Sequence, residues 1–130
     1  MDNTMALLLS DTYKQCHDRM YPKGLTKLVS YWVPRKSMLE NQNEMVFFGL
    51  QAFIKEYLIG YFQKNFFDLS EDEMLTLYTD SMDVQIGRDN YDLDKIVELH
   101  RLGYLPLEIR ALPEGTLVPM GVPCIEITNT

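Results

Sequence analysis

Leu107-Glu108-Ile109-Arg110-Ala111-Leu112-Pro113-Glu114-Gly115 decides the fold class. Leu107, Ile109 and Ala111 alternate with the charged Glu108 and Arg110, the period-two pattern of a strand with one wet face. Pro113-Glu114-Gly115 then turns the chain, because Pro presets one backbone angle and Gly tolerates a left-handed one. Beyond the turn, Leu117-Val118 and Cys124 to Ile127 predict further short strands. Far upstream, Lys27 to Val33 is another β-rich run, holding Leu28, Val29, Tyr31, Trp32 and Val33. Its apolar content on both faces predicts burial between layers. This first strand must find partners near the last ones, so the sheet rests on contacts distant in sequence.

Between these strands the pattern is helical. A first helix is expected from Asp11 or Thr12, with Ser10 or Asp11 able to cap its free amides. Tyr13, Cys16, His17 and Met20 fall on one face by three-to-four spacing, and Pro22 to Gly24 ends the helix. Glu44 to Leu58 reads as a second helix, striped by Val46, Phe47, Leu50, Phe53, Ile54, Tyr57 and Leu58 and stopped at Gly60. Ser70-Glu71-Asp72-Glu73 has capping-box spacing and opens a third through roughly Tyr78. Asp92 is placed to cap a fourth, Leu93 to Leu102, closed by Gly103. The expected class is α+β: a small antiparallel or mixed sheet from the amino- and carboxy-terminal strands, packed with about three to four helices. No covering helix follows Ile125-Glu126-Ile127, so an uncovered apolar sheet face is expected to need a partner surface.

The 130 residues fit one domain, 1–130, able to bury roughly two-thirds of its unfolded surface. With 46% hydrophobic and 24% charged residues the composition is that of a globular protein. The formal net charge of −7 and the dispersal of twelve Lys and Arg argue against nucleic acid, whose backbone demands a basic stripe. A phosphorylated small molecule stays open, because one or two placed cations can outweigh a distant acidic surface. Cys16 and Cys124 have neither metal-ligand spacing nor a disulfide framework and read as free thiols of a reducing compartment. The start of the chain lacks a basic segment and a small-residue cleavage site, and no stretch approaches the ~20 apolar residues of a membrane span. A cytoplasmic protein without membrane association is the expectation.

Chemistry concentrates in the first thirty-five residues. Ser10-Asp11-Thr12-Tyr13-Lys14 leads to His17, then Tyr21-Pro22, then the strand that delivers Arg35. This order resembles the amino-terminal segment of nicotinamide phosphoribosyltransferases. Val46-Phe47-Phe48-Gly49-Leu50-Gln51, Leu105 to Gly115 and Glu126-Ile127-Thr128-Asn129-Thr130 are similar to later parts of the same segment. The likeness is collinear and thinnest from about Gly60 to Asn90. It implies a pentosyltransferase of NAD biosynthesis by pyridine nucleotide salvage, joining nicotinamide to phosphoribosyl pyrophosphate to give nicotinamide mononucleotide and pyrophosphate. Family chains are several times longer, so the resemblance implies a fragment or truncated form of such an enzyme. Mg²⁺ and ATP are implied for the complete enzyme, with no cofactor held by this chain alone. A homodimer or a barrel-containing partner subunit is implied as well.

Such a reaction needs a flat surface for the base, cations for the phosphates and an in-line arrangement of the two reactants. Tyr13 offers an aromatic face matched to a pyridine ring. By resemblance, Tyr13 and Asp11 belong to the nicotinamide side of a site shared between subunits. Arg35 matches the family arginine on the phosphate side, where a planar fork of donors suits paired oxygens. Lys14 and His17 stand behind them as supporting positions. No catalytic residue and no metal ligand is assigned to this chain alone. On residue type alone, Asp11 reads as a helix cap, Tyr13 as part of a core stripe and Arg35 as a solvated loop cation. Glu114 reads as a shaper of its turn.

The loop Lys36 to Asn43 is short and polar where the family is longer and more basic. The family's phosphoribosyl-binding loops, its phosphorylatable His and the Asp that selects amide over acid lie in a later α/β barrel, outside these residues. No GxGxxG, P-loop or acidic metal cluster replaces them. The leading expectation is therefore a contribution to a composite site, inactive alone. The alternatives are a stand-alone interaction module that modulates NAD salvage, and part of a nicotinate phosphoribosyltransferase.

Overall fold

The structure, a computed structural model, describes residues 4–88 and 90–130, apart from the Asp18 side chain. Its architecture is α+β, in two compact units. One comprises Met1–Lys23 and Ile54–Leu105, the other Gly24–Phe53 and Pro106–Thr130. Among the described residues, helices fill the first and every strand belongs to the second.

In the strand unit, β1 (Val29–Trp32), β3 (Leu107–Ala111) and β5 (Ile125–Asn129) form an antiparallel sheet in the order β1-β5-β3. Ile127 of the central strand faces Ser30 on one side and Ile109 on the other. A second antiparallel pair joins β2 (Glu44–Val46) to β4 (Leu117–Pro119), with Met45 opposite Val118. Phe47, Val118 and Cys124 are buried together, packed by Met45, Leu50 and Ile125. The predicted pairing of the first strand with the last ones is present. Its predicted burial is not, for all four residues of β1 are exposed. As an edge strand β1 is paired on one side only, and the core of its unit gathers around Phe47 instead.

The helix expected from Glu44 begins only at Leu50. Glu44 to Val46 is strand, and Phe47 extends the sheet bonding, donating its N–H to the Thr116 carbonyl at 2.9 Å and accepting from the Gly115 N–H at 2.8 Å. A backbone held this way has no donor or acceptor left for helix bonds. Gly49, at φ +96°, then breaks the extended run before α1 (Leu50–Phe53). Nor does Gly60 stop the helix, because it lacks the left-handed φ of a terminating glycine. The segments Ile54–Tyr61 and Gln63–Phe67 instead wind as π-helix.

The helical unit is built on α2 (Glu71–Gln85), which runs one to two turns past the predicted end. The capping box is formed: Ser70 accepts from the Glu73 amide, and the Glu73 side chain accepts from the Ser70 amide. Met74, Tyr78 and Met82 recur every fourth residue, which puts all three on one helical face. They bury it against Met5, Ala6 and Phe66. The helix α3 (Asp94–Leu102) starts one residue later than expected, with Leu93 rather than Asp92 at the cap position, although Asp92 still accepts from the Asp94 amide at 2.9 Å. It ends on left-handed Gly103 as expected. Among the described residues no helix is long and apolar enough to cross a membrane.

Thr12–Met20 is helical as predicted but winds as a 3-10 helix. Its three-residue turn eclipses positions i and i+3, so Thr12 and Gln15 share a face. That face is anchored. Thr12 donates to the Gln85 side-chain oxygen at 2.5 Å, Gln15 donates to the Leu7 carbonyl at 2.6 Å, and the Tyr78 hydroxyl donates to Gln15 at 3.2 Å. The expected stripe of Tyr13, Cys16, His17 and Met20 is correspondingly not a core stripe, with Tyr13 60% and Met20 74% exposed.

Candidate functional site

Ser10, a possible cap for this helix, bonds side chain and loop rather than the helix's free backbone amides. Its hydroxyl donates to the Leu7 carbonyl at 3.3 Å and accepts from the Gln15 amide at 2.6 Å. Asp11 accepts the Lys14 N–H through its backbone carbonyl at 2.9 Å, which starts the helix. Its carboxylate lies 3.5 Å from the Lys14 ammonium, an exposed pair worth little to stability. Lys14 also stands 5.9 Å from the centre of the Tyr13 ring. The His17 ring packs against that same ring at 5.3 Å and a 54° tilt. Asp11, Tyr13, Lys14 and His17 are thus one contiguous group, with the phenol ring exposed and its neighbours arranged around it.

Arg35 belongs to the strand unit. It follows β1 directly after Pro34, which is buried and whose carbonyl accepts the Gly121 N–H at 2.7 Å. The backbone at the loop entry is therefore pinned while the guanidinium is exposed. Among the described residues no hydrogen bond or ion pair engages it. A cation presented this way retains all five donors for an anion.

Other predicted positions have structural partners. Glu114 does more than shape its turn, because its carboxylate accepts from the Gln51 backbone amide at 3.0 Å. Cys16 and Cys124 are free thiols, the first half-buried and the second buried. Burial pushes the Cys124 thiol pKa up. Among the described residues no group of three or more His, Cys, Asp or Glu is placed to hold a metal ion.

Sequence reading missed Gln15, whose amide ties the Tyr13 segment to Leu7, Ser10 and Tyr78. The signal was the three-residue interval from Thr12 to Gln15, which marks a shared face only in a 3-10 helix. It also missed a polar row across the sheet, where Tyr31 and Arg110 both stand opposite Glu126. The Tyr31 hydroxyl bonds to the Glu126 carboxylate, whose hydrogen bond and charge hold the phenol pKa up.

The sequence profile of the nicotinamide phosphoribosyltransferase N-terminal domain matches residues 5–109, a span that includes Asp11, Tyr13, Lys14, His17 and Arg35. A nicotinamide phosphoribosyltransferase of Acinetobacter baylyi is 40% identical over 125 residues, covering 92% of this chain and 25% of the relative. The chain spans about a quarter of the length of that relative. By profile and by identity, the chain belongs to the nicotinamide phosphoribosyltransferase family, within the part that forms its N-terminal domain.

Proposed function

We propose that this chain supplies the amino-terminal portion of an enzyme that makes nicotinamide mononucleotide from nicotinamide and phosphoribosyl pyrophosphate. Asp11 and Tyr13 serve the nicotinamide side of a composite site and Arg35 the phosphate side. The single observation that carries this reading is the exposed Tyr13 ring, backed by His17 and Lys14 on a helix anchored through Thr12 and Gln15. An aromatic ring held in place but uncovered is a stacking surface for another flat ring. Arg35 supports the reading as a cation on a pinned backbone with no competing partner among the described residues. The exposed apolar side chains of β1, with Val29 at 42%, Tyr31 at 58% and Trp32 at 48%, fit a chain that works against a partner surface. That surface is supplied by a second subunit or by a barrel-containing chain.

The test is complementation. The purified chain is mixed with the complementary three-quarters of the Acinetobacter baylyi relative, with nicotinamide, phosphoribosyl pyrophosphate, Mg²⁺ and ATP. Mononucleotide is expected only when both pieces are present, because positioning and charge stabilisation supply most of the acceleration. Turnover by the 130-residue chain alone would overturn the composite site. Specific association without turnover would favour a modulating interaction module.

A further inference from the structure

The helical unit contains a cavity that the Tyr13 group does not use. Met5, Lys64, Asn65, Leu69 and Leu77 line about 400 Å³, a volume within the range of small-molecule sites. Asn65 is its buried polar member, 8% exposed, and it interrupts the π-wound segment with a non-helical backbone at φ −110° and ψ 15°. Its side-chain Nδ2 donates to the Tyr61 carbonyl at 3.1 Å. A carbonyl only accepts, so this bond fixes which way the amide points and leaves Oδ1 as the free end. Among the described residues no donor reaches Oδ1. A buried acceptor without a donor is destabilising, and such groups in folded proteins call for a partner.

Met5, Leu69 and Leu77 supply the apolar lining, and the exposed Lys64 brings its stem to one side. The space is larger than one water, which takes up roughly 30 Å³. We propose that the cavity binds a small, mainly apolar molecule carrying one O–H or N–H donor. The donor satisfies Asn65 Oδ1, and the apolar body packs on Met5, Leu69 and Leu77.

Phenol and anisole separate the two requirements, because they share a ring and differ in the donor. Titrated into the intact 130-residue chain and followed by NMR, phenol is expected to move the Asn65 side-chain amide signals saturably. Anisole is expected to bind about tenfold more weakly, since it leaves Oδ1 unpaired. Leu77 is 45% exposed, so Leu77→Trp fills the cavity from a tolerant position. That variant is expected to abolish phenol binding with an unchanged far-ultraviolet circular dichroism spectrum. Equal affinities for phenol and anisole would overturn the proposal, as would no saturable binding or shifts confined to other residues. The phenol–anisole comparison uses the unaltered chain, so it decides the matter even where the variant fails to fold.

Discussion

The Glu114 carboxylate accepts a hydrogen bond from the Gln51 backbone amide at 3.0 Å, across 63 residues of sequence. Gln51 is the second residue of α1, so its amide is one of the four that a helix leaves without an internal acceptor. A negative charge at that end also complements the helix dipole. The turn carrying Glu114 is itself tied down, with Gly115 donating to the Phe47 carbonyl and Thr116 to the Pro113 carbonyl. One side chain therefore fastens the β3–β4 turn to the helix that follows β2.

Glu114→Ala is expected to lower the stability of the strand unit by about 1 kcal/mol, the usual cost of a lost helix cap. Glu114→Gln keeps an acceptor oxygen and is expected to lose less. Thermal melts of both variants check the order, and an alanine variant as stable as the parent would remove the cap from the account.

Local signals made much of this fold legible. The alternation at Leu107, Ile109 and Ala111, the Ser70–Glu73 box, the Asp92 start and the Gly103 stop each encode their element within a few residues. What escaped depends on context. Val46, Phe47 and Leu50 sit at helical spacing, yet Phe47 is held by Thr116, Gly115, Val118 and Cys124, all some seventy residues away. The Tyr13 segment escaped differently. Its apolar residues match an α-helical face, but polar anchoring through Thr12 and Gln15 fixes a 3-10 helix and turns Tyr13 outward. Of the candidate site, Asp11, Tyr13, Lys14 and His17 are adjacent in sequence and so were legible as a group. Arg35, which lies in the other unit, was singled out by family order alone.

The amino-terminal end of α2 makes stability depend on acid. Arg101 holds the Glu71 carboxyl below its ordinary 4.5, with its two guanidinium bonds at 2.8 Å. The Ser70 hydroxyl and amide do the same for Glu73. Groups whose folded pKa is depressed contribute stability above the unfolded value and lose it as pH falls through the folded one. Urea midpoints of the parent are therefore expected to fall on going below about pH 4.5. Glu71→Gln with Glu73→Gln should flatten that fall. An unchanged slope in the double variant would mean that neither carboxylate contributes.

The two thiols should differ in reactivity. Cys124 is buried beside Phe47 and Val118, and its thiol donates weakly to the Trp32 carbonyl at 3.7 Å. Burial and a raised pKa both keep it out of the thiolate form that alkylating reagents attack. Cys16 is half-buried on the Tyr13 helix. Iodoacetamide at neutral pH is expected to label Cys16 first, with Cys124 labelled only under denaturant. Mass spectrometry of the digested chain reads the order, and early labelling of Cys124 would show that the strand-unit core opens readily.

The decisive variants are those of the proposed site, made in the chain once it is complemented to activity. Tyr13 is exposed and its ring contacts are with its helix neighbours His17 and Lys14, so Tyr13→Ala should leave the melting temperature nearly unchanged. Loss of a ring–ring contact is worth roughly 0.5–1.5 kcal/mol, which corresponds to several-fold to tenfold weaker nicotinamide binding. Arg35→Ala should instead raise the KM for phosphoribosyl pyrophosphate by about tenfold to a hundredfold, the scale of a lost charge-assisted hydrogen bond. Asp11→Asn removes the charge facing Lys14 but keeps a polar oxygen, so a large activity loss at unchanged stability would assign Asp11 to the pocket. The opposite pattern is equally readable. If Tyr13→Ala lowers the melting temperature while both substrate affinities hold, the ring is a packing element, and the nicotinamide side of the site must be sought elsewhere.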